Sequence, residues 1–306
     1  MALDPVVREE LAGLIKGRVL FDHPMRQYTT IKVGGPADAV LFPKDEEDLR
    51  HVLEYAARRG LPYFLVGEGA NLLVKDKGIR GLVINLSEGF DQIAVRLEGE
   101  GGIIEAGAGA DLGRMMRVAR DHGLTGLEFV AGLPASFGAA LAMNAGVHER
   151  EMKDITRTVR IMERGGTTTV LPRAALQFQY RFLVLPSGAI IVGGELELGR
   201  DDPKAIRERE SAYILKRKRT QPLAFPNAGC MFRNPPGDYA GRLIEEAGLK
   251  GTRVGGAKIS ELHANFIVNL GEARAEDVLA LMELATEAVY RRTGVRLTPE
   301  VKVVGE

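Results

Sequence analysis

Apolar and polar positions follow two rhythms along this chain, and each predicts a different kind of element. "DEEDLRHVLEYAARRG" (45–60) has helical spacing, with acids in its first turn, arginines in its last and Gly60 as terminator. "DLGRMMRVARDHG" (111–123), "DDPKAIRERESAYILKRKR" (201–219), "DYAGRLIEEAGLKG" (238–251) and "RAEDVLALMELATEAVYRRTG" (274–294) read the same way. The N-terminal "MALDPVVREELAGLIKG" starts as an amphipathic helix, Asp4 capping and Pro5 first inside, not as a signal peptide. Alternation of period two predicts hairpins in "QIAVRLEGEGGIIEAG" (92–107) and "TVRIMERGGTTTVL" (158–171), each with a glycine-containing turn. "TTIKVGGPADAVLFPK" (29–44) reads as a strand broken by a Gly-Gly turn. "PYFLVG", "GAIIVGGELELG", "HANFIVNLG" and "RLTPEVKVVG" read as further strands. The mixture is α+β without strict βαβ alternation, and its character shifts near residue 202, which places a boundary at the 202–220 helix.

Composition narrows the class. With 306 residues the chain can bury one large or two to three modest cores. Its 41 basic residues balance 41 acidic ones, so net charge argues for neither a nucleic acid nor a membrane surface as partner. The single cysteine rules out an internal disulfide framework and a multi-thiolate metal site, and fits a reducing cytoplasm. His23, His51, His122, His148 and His263 show no metal-ligand spacing, so no metal is expected. No apolar run reaches the ~20 residues of a membrane span.

"GAGADLG" (107–113) imitates a dinucleotide fingerprint, but Leu112 stands where the third glycine belongs and no acidic residue ends a second strand. A tight turn is the better reading. "VGEGANLLV" (66–74) and "AGLPASFGAALAMNAG" (131–146) suit a loop-built nucleotide cradle: small residues admit a diphosphate to backbone N–H groups, and a helix N-terminus adds positive charge. Either stretch, taken singly, is equally well a close helix–sheet contact. "KRKR" (216–219) ends a helix and reads as a solvated face before a phosphate clamp. By themselves Arg181 is an ordinary salt-bridge partner, Glu300 a half-exposed carboxylate, and Cys230 in "AGCMFRNP" a small buried hydrophobe.

As a set these motifs resemble the UDP-N-acetylenolpyruvoylglucosamine reductase (MurB) family of flavoenzymes, which complete UDP-N-acetylmuramate for peptidoglycan. The order is the Gly-Gly turn at 34–35, "GEGANLLV", "GLEFVAGLPASFGAALAMNAG", "YR" at 180–181, "QP" at 221–222, "AGCMFRNPPGDYAGRLIEEAGLKG", "GGAKISELHANFIVN" and "LTPEV". The likeness runs over nearly the whole chain and is to the shorter type lacking a tyrosine loop. It implies a two-lobed FAD-binding domain of the vanillyl-alcohol-oxidase/PCMH type over residues 1–202, with the lobes split near 76. A smaller α+β substrate-binding domain would follow over 203–306, its C-terminal strand returning to the active site. It also implies FAD and NADPH as cofactors, a small-molecule UDP-sugar enolpyruvyl ether as substrate, a cytoplasmic location and no obligate protein partner.

The implied reaction passes hydride from NADPH through FAD to C3 of the enol ether. Arg181 and Glu300 would stabilise charge on the carboxylate, and Cys230 would protonate C2 where the family commonly has serine. The implied FAD contacts are Gly67, Gly69, Ala70, Asn71, Leu72, Gly132, Pro134, Ser136, Gly138, Asn144 and Gly146, and the implied substrate contacts are Asn234 and Lys258. Alanines in "PASFGAA" replace frequent glycines, Leu183 a frequent serine, and Lys258 a frequent glutamine. Arg233 or a helix N-terminus is expected to lower the Cys230 pKa and leave the thiol open to oxidation. A different FAD oxidase of the same fold, or a UDP-sugar-binding regulator without chemistry, are the alternatives.

Overall fold

The computed structural model describes residues 3–147 and 150–306; His148 lies outside them. Asp4 opens α1 (Pro5–Leu14), its carboxylate accepting the Val6 N–H while Pro5 takes a first-turn position that needs no donor. The first sheet runs Arg18–Pro24, Pro36–Phe42, Ile79–Asn85, Tyr63–Val66, with only the first pair antiparallel. Its two inner strands are buried at nearly every position, as strands covered on both faces must be. On one face lies α2 (Glu46–Arg59), capped by Asp45 and ended by Gly60 in the left-handed region at φ 65°. Since Ile79–Asn85 is an inner strand here, the first lobe continues past residue 76, where the motifs had placed its end.

The second sheet is antiparallel, in the order Thr168–Pro172, Thr156–Met162, Ile190–Arg200, Gly101–Gly107, Ile93–Glu98. Both predicted hairpins are in it. α3 (Leu112–Asp121) starts on Asp111, whose carboxylate accepts the Arg114 N–H. Glycines before it serve close packing: a Cβ on Gly107 would stand 2.2 Å from the Phe90 carbonyl oxygen. α4 (Phe137–Ala142) follows in the Gly/Ala-rich stretch. α5 (Pro203–Thr220) packs on α3 and on the Glu128–Val130 turn, pinned by Arg120–Glu210 (2.8 Å) and Arg209–Glu128 (2.9 Å) ion pairs. It therefore belongs to the second lobe, and the expected boundary before it moves to its C-terminal end.

The third unit is an antiparallel sheet of Asn227–Cys230, Phe266–Asn269, Ala257–Ile259 and Arg253–Val254, covered by α6 (Ala240–Glu246) and α7 (Ala275–Thr293). It is fastened to the first lobe. Lys302–Val304 lies parallel to Leu72–Val74, and Asp76 accepts the Ala275 and Glu276 N–H groups at the start of α7 (2.9 and 3.0 Å). Ile31, Val33 and Leu73 are buried with Ala228, Phe232 and Ile267 in one cluster. That contact explains why residues before the Gly-Gly pair are not the expected strand. Thr29 Oγ1 donates to the Val33 carbonyl, Lys32 turns at φ 58°, and the segment curls toward the third unit. No helix among the described residues is long and apolar enough to cross a membrane.

Candidate active site

Arg181 occupies the turn between Gln177–Gln179 and Phe182–Val184 at φ 61°, a left-handed conformation that non-glycine residues seldom adopt. Asn144 helps hold that turn. Its side chain is fully enclosed, its Nδ2 donating to Glu151 Oε2 (3.0 Å) and to the Gln179 carbonyl (3.1 Å), its Oδ1 accepting the Lys153 N–H (3.0 Å). Every hydrogen-bonding group of this amide is engaged with protein, so Asn144 supports the Arg181 hairpin and does not present itself to a cofactor. Gly146 does similar work through its carbonyl, which accepts from Arg181 Nη1 at 3.2 Å.

The Arg181 Nε lies 3.2 Å from Glu300 Oε1, yet is not aligned for a hydrogen bond and is buried with its N–H free. Glu300 is positioned by its own backbone: its N–H donates to the Met231 carbonyl (2.8 Å), and its carbonyl accepts from Asn71 Nδ2 (3.1 Å). Pro299 bridges to Phe232 beside it. Thus the "GEGANLLV" loop, the "AGCMFRNP" strand end and the "LTPEV" tail meet at one place. Burial pushes the Glu300 pKa up against the pull of Arg181 and Arg233, so its proton is held more firmly than an ordinary carboxyl's.

Cys230 ends the strand Asn227–Cys230 opposite Phe266. Asn265 fixes the following residues: its Oδ1 accepts the Phe232 N–H (2.9 Å), its Nδ2 donates to the Phe232 carbonyl (2.8 Å), and its own carbonyl accepts from Met231. Both Glu300 and Arg181 are near enough for their charges to act on the thiol, which brings the three residues together. The direction of the shift overturns the expected low pKa. Burial first, and the Glu300 carboxylate second, push the Cys230 thiol up to about 12, outweighing Arg181. Cys230 is a protonated thiol at any physiological pH.

The two small-residue loops touch. A Cβ on Gly67 would stand 2.5 Å from Ser136 Oγ, one on Gly69 (φ 64°) 2.0 Å from the Tyr28 carbonyl, and one on Gly138 2.7 Å from the Ala108 Cβ. Glycine is required at 69, where φ is positive and the neighbour is backbone, and at 138, which lies against Ala108. The Phe137 and Gly138 N–H groups donate to the Ala110 and Ala108 carbonyls (2.8 Å each), so the helix start expected to face a diphosphate is partly committed to protein. Leu72 is buried in its strand and holds Lys302 in register. Ala70 and Asn71 are half-buried, while Gly132 and Pro134 are exposed at the rim. The arrangement fits an oxygen-rich nucleotide such as FAD: close-packed loops of small residues, beside the buried Nε–H groups of Arg181 and Arg217, which have no hydrogen-bond partner.

Asn234 and Lys258 are each engaged with protein groups. Asn234 Oδ1 accepts the Ala240 N–H (3.1 Å) at the start of α6. Lys258 Nζ pairs with Glu261 (3.1 Å) in a cleft of about 560 Å³ shared with Lys218, Phe225 and Leu262. Sequence reasoning missed Asn265 and the strap from Asn71. The available signal for Asn265 was a polar residue inside the apolar run "ANFIVN". Among the described residues no group of three His, Cys, Asp or Glu side chains is placed to hold a metal.

Family models match the chain in two stretches: an FAD binding domain over residues 37–171, and the C-terminal domain of UDP-N-acetylenolpyruvoylglucosamine reductase over 221–304. The reductase of Geobacter metallireducens is 46% identical over 296 residues, covering 97% of each chain. That of Moorella thermoacetica is 44% identical over 297 residues, again 97% of each. The crystal structure of the reductase (MurB) from Thermus caldophilus superposes with a TM-score of 0.80 at 38% identity, covering 95% of this chain and all of that one. Alkyldihydroxyacetonephosphate synthase, at 14% identity and a TM-score of 0.50 over 65% of this chain, is alike in fold alone.

Proposed function

The chain belongs to the UDP-N-acetylenolpyruvoylglucosamine reductase family and is an FAD-dependent oxidoreductase of peptidoglycan synthesis, and from that premise we propose that Cys230 is the proton donor of an NADPH-driven reduction of the enolpyruvyl ether. FAD, when bound, supplies the hydride that saturates C3 of the substrate. Charge then collects at C2 and spreads into the neighbouring carboxylate. Arg181 meets that carboxylate with its unengaged Nε–H, and Glu300, whose pKa burial raises, donates a hydrogen bond to the second oxygen in its protonated form. Because both donors are desolvated and held by backbone contacts, they need little reorganisation as the charge develops.

Cys230 then delivers its proton to C2. A thiol held protonated is suited to a carbanion-like acceptor that is more basic still, and the thiolate left behind recovers its proton from solvent. The observation that carries this reading is the convergence of thiol, guanidinium and carboxyl from three distant segments. Gly67, Gly69, Ala70, Ser136, Gly138, Gly132 and Pro134 shape the flavin cradle, with Asn71 linking it to Glu300. Asn234 and Lys258 serve the nucleotide end of the substrate in the third unit, residues 221–306. A UDP-sugar substrate and a nicotinamide reductant set the reaction in the cytoplasm.

Stopped-flow absorbance separates the half-reactions. Cys230→Ala reduces its flavin with NADPH at the native rate, while reoxidation by the enolpyruvyl substrate slows by about a hundredfold or more. Cys230→Ser retains substantial reoxidation. A Cys230→Ala enzyme that reoxidises at the native rate places the donor elsewhere.

A further inference from the structure

Asn265 is an amide in the apolar run "HANFIVN", with only 2% of its surface exposed. A fold keeps such a group inside only when its hydrogen bonds are made, and here they are made around the thiol. Its Oδ1 accepts the Phe232 N–H (2.9 Å), its Nδ2 donates to the Phe232 carbonyl (2.8 Å), and its backbone carbonyl accepts the Met231 N–H (2.8 Å). Cys230 itself pairs with Phe266, the residue after Asn265. These contacts fix the backbone of Cys230 and of the two residues that follow it.

The strand is irregular just before the thiol. Asn227 pairs with Val268 and Cys230 with Phe266, so three steps on one strand oppose two on the other, and Gly229 takes φ 72° at the extra residue. One extra residue in a strand re-aims the side chain that follows it. An amide nitrogen carries two N–H groups, and the Phe232 carbonyl takes only one. Asn265 also hydrogen-bonds the Cys230 side chain, in the sense that favours the thiolate. Of the charged groups that act on the sulfur, Glu300 opposes the thiolate and Arg181 favours it.

We propose that Asn265 is a positioning residue for proton delivery: it aims the Cys230 sulfur into the site and donates an N–H to the thiolate that the transfer leaves. The inference rests on Cys230 being the donor. In that step the S–H bond breaks with its electron pair staying on sulfur, and the electron pair at C2 takes the proton to form a C–H bond. Charge therefore grows on the sulfur as the proton leaves, and a fixed donor beside it is worth most at that moment.

A double-mutant cycle tests this. Enzyme holding FAD and reduced with dithionite is mixed with the enolpyruvyl substrate, and flavin reoxidation is followed by stopped-flow absorbance in the native chain, Asn265→Leu, Cys230→Ala and the double variant. At saturating substrate Asn265→Leu reoxidises about tenfold more slowly, the size expected for a lost hydrogen bond to a charged group. In the Cys230→Ala background the same substitution costs nothing further, because the group it acts through is gone. A residue that only holds the fold, through Phe232 and its bridge to Pro299 beside Glu300, would slow the Cys230→Ala enzyme as well. Equal losses in the two backgrounds therefore overturn the proposal, as does native reoxidation by Asn265→Leu. A native rate in Cys230→Ala alone removes the donor reading and this inference with it, whereas a slow Cys230→Ala with additive losses removes only this inference. Should Asn265→Leu fail to fold, Asn265→Asp takes its place in the cycle with the same expected and refuting outcomes, since it still accepts the Phe232 N–H but has no amide N–H for the sulfur.

Discussion

The thiol of Cys230 offers the sharpest test of the site's electrostatics. Burial and Glu300 move its pKa from an ordinary 9.0 to about 12. At pH 7 that cuts the thiolate fraction by about a thousandfold. The thiolate that remains is intrinsically more reactive, by roughly twentyfold for a reactivity slope of about 0.45 per pKa unit. The net expectation is labelling by an aromatic disulfide reagent about fiftyfold slower than for the same cysteine in the urea-unfolded chain. Restricted access also slows labelling, so the deciding observable is the pH profile: the rate should still climb tenfold per pH unit at pH 10, where an ordinary thiol has levelled off. A plateau near pH 9, or labelling of the folded enzyme at the unfolded rate, refutes the reasoning. Stability has the matching sign. The folded state keeps a proton that the unfolded state loses, so this contribution is complete below about pH 9 and is lost as pH climbs toward about 12.

Two substitutions probe the framework. Asn144→Ala strands the Lys153 N–H, the Gln179 carbonyl and Glu151, and leaves alanine at φ 41°. Urea unfolding should show a loss of about 2–4 kcal/mol, and a loss under about 1 kcal/mol would mean the Arg181 hairpin is held by other contacts. Asp76→Ala removes the acceptor for the first amides of α7, worth about 1 kcal/mol. Hydrogen exchange at Ala275 and Glu276 should quicken by about fivefold. No change there would count against Asp76 as the fastening between the first lobe and the third unit.

Much of the architecture was legible in short range. Asp4, Asp45 and Asp111 cap the helices they were expected to begin, or those they stand before, because a carboxylate one residue outside a helix can reach a free N–H whatever the rest of the chain does. The hairpins at 92–107 and 158–171 formed because alternation and a glycine turn are local instructions. The errors lie where a segment answers to distant neighbours. Thr29–Val33 has strand-forming residues but curls so that Ile31 and Val33 enter the core of the third unit. α5 shows the same limit, since its charge pattern does not reveal that Glu128 and Arg120 await it in the second lobe.

The candidate site divides along the same line. By residue type alone Cys230, Arg181 and Glu300 read as ordinary, and it was the resemblance carried by the order of the motifs around them that singled them out. Their environment could not be read from order. The raised pKa values of the Cys230 thiol and of Glu300 follow from how much water the assembled chain excludes and which charges it leaves facing one another. Solvation and Coulomb energy depend on distance through space, and only packing sets that distance.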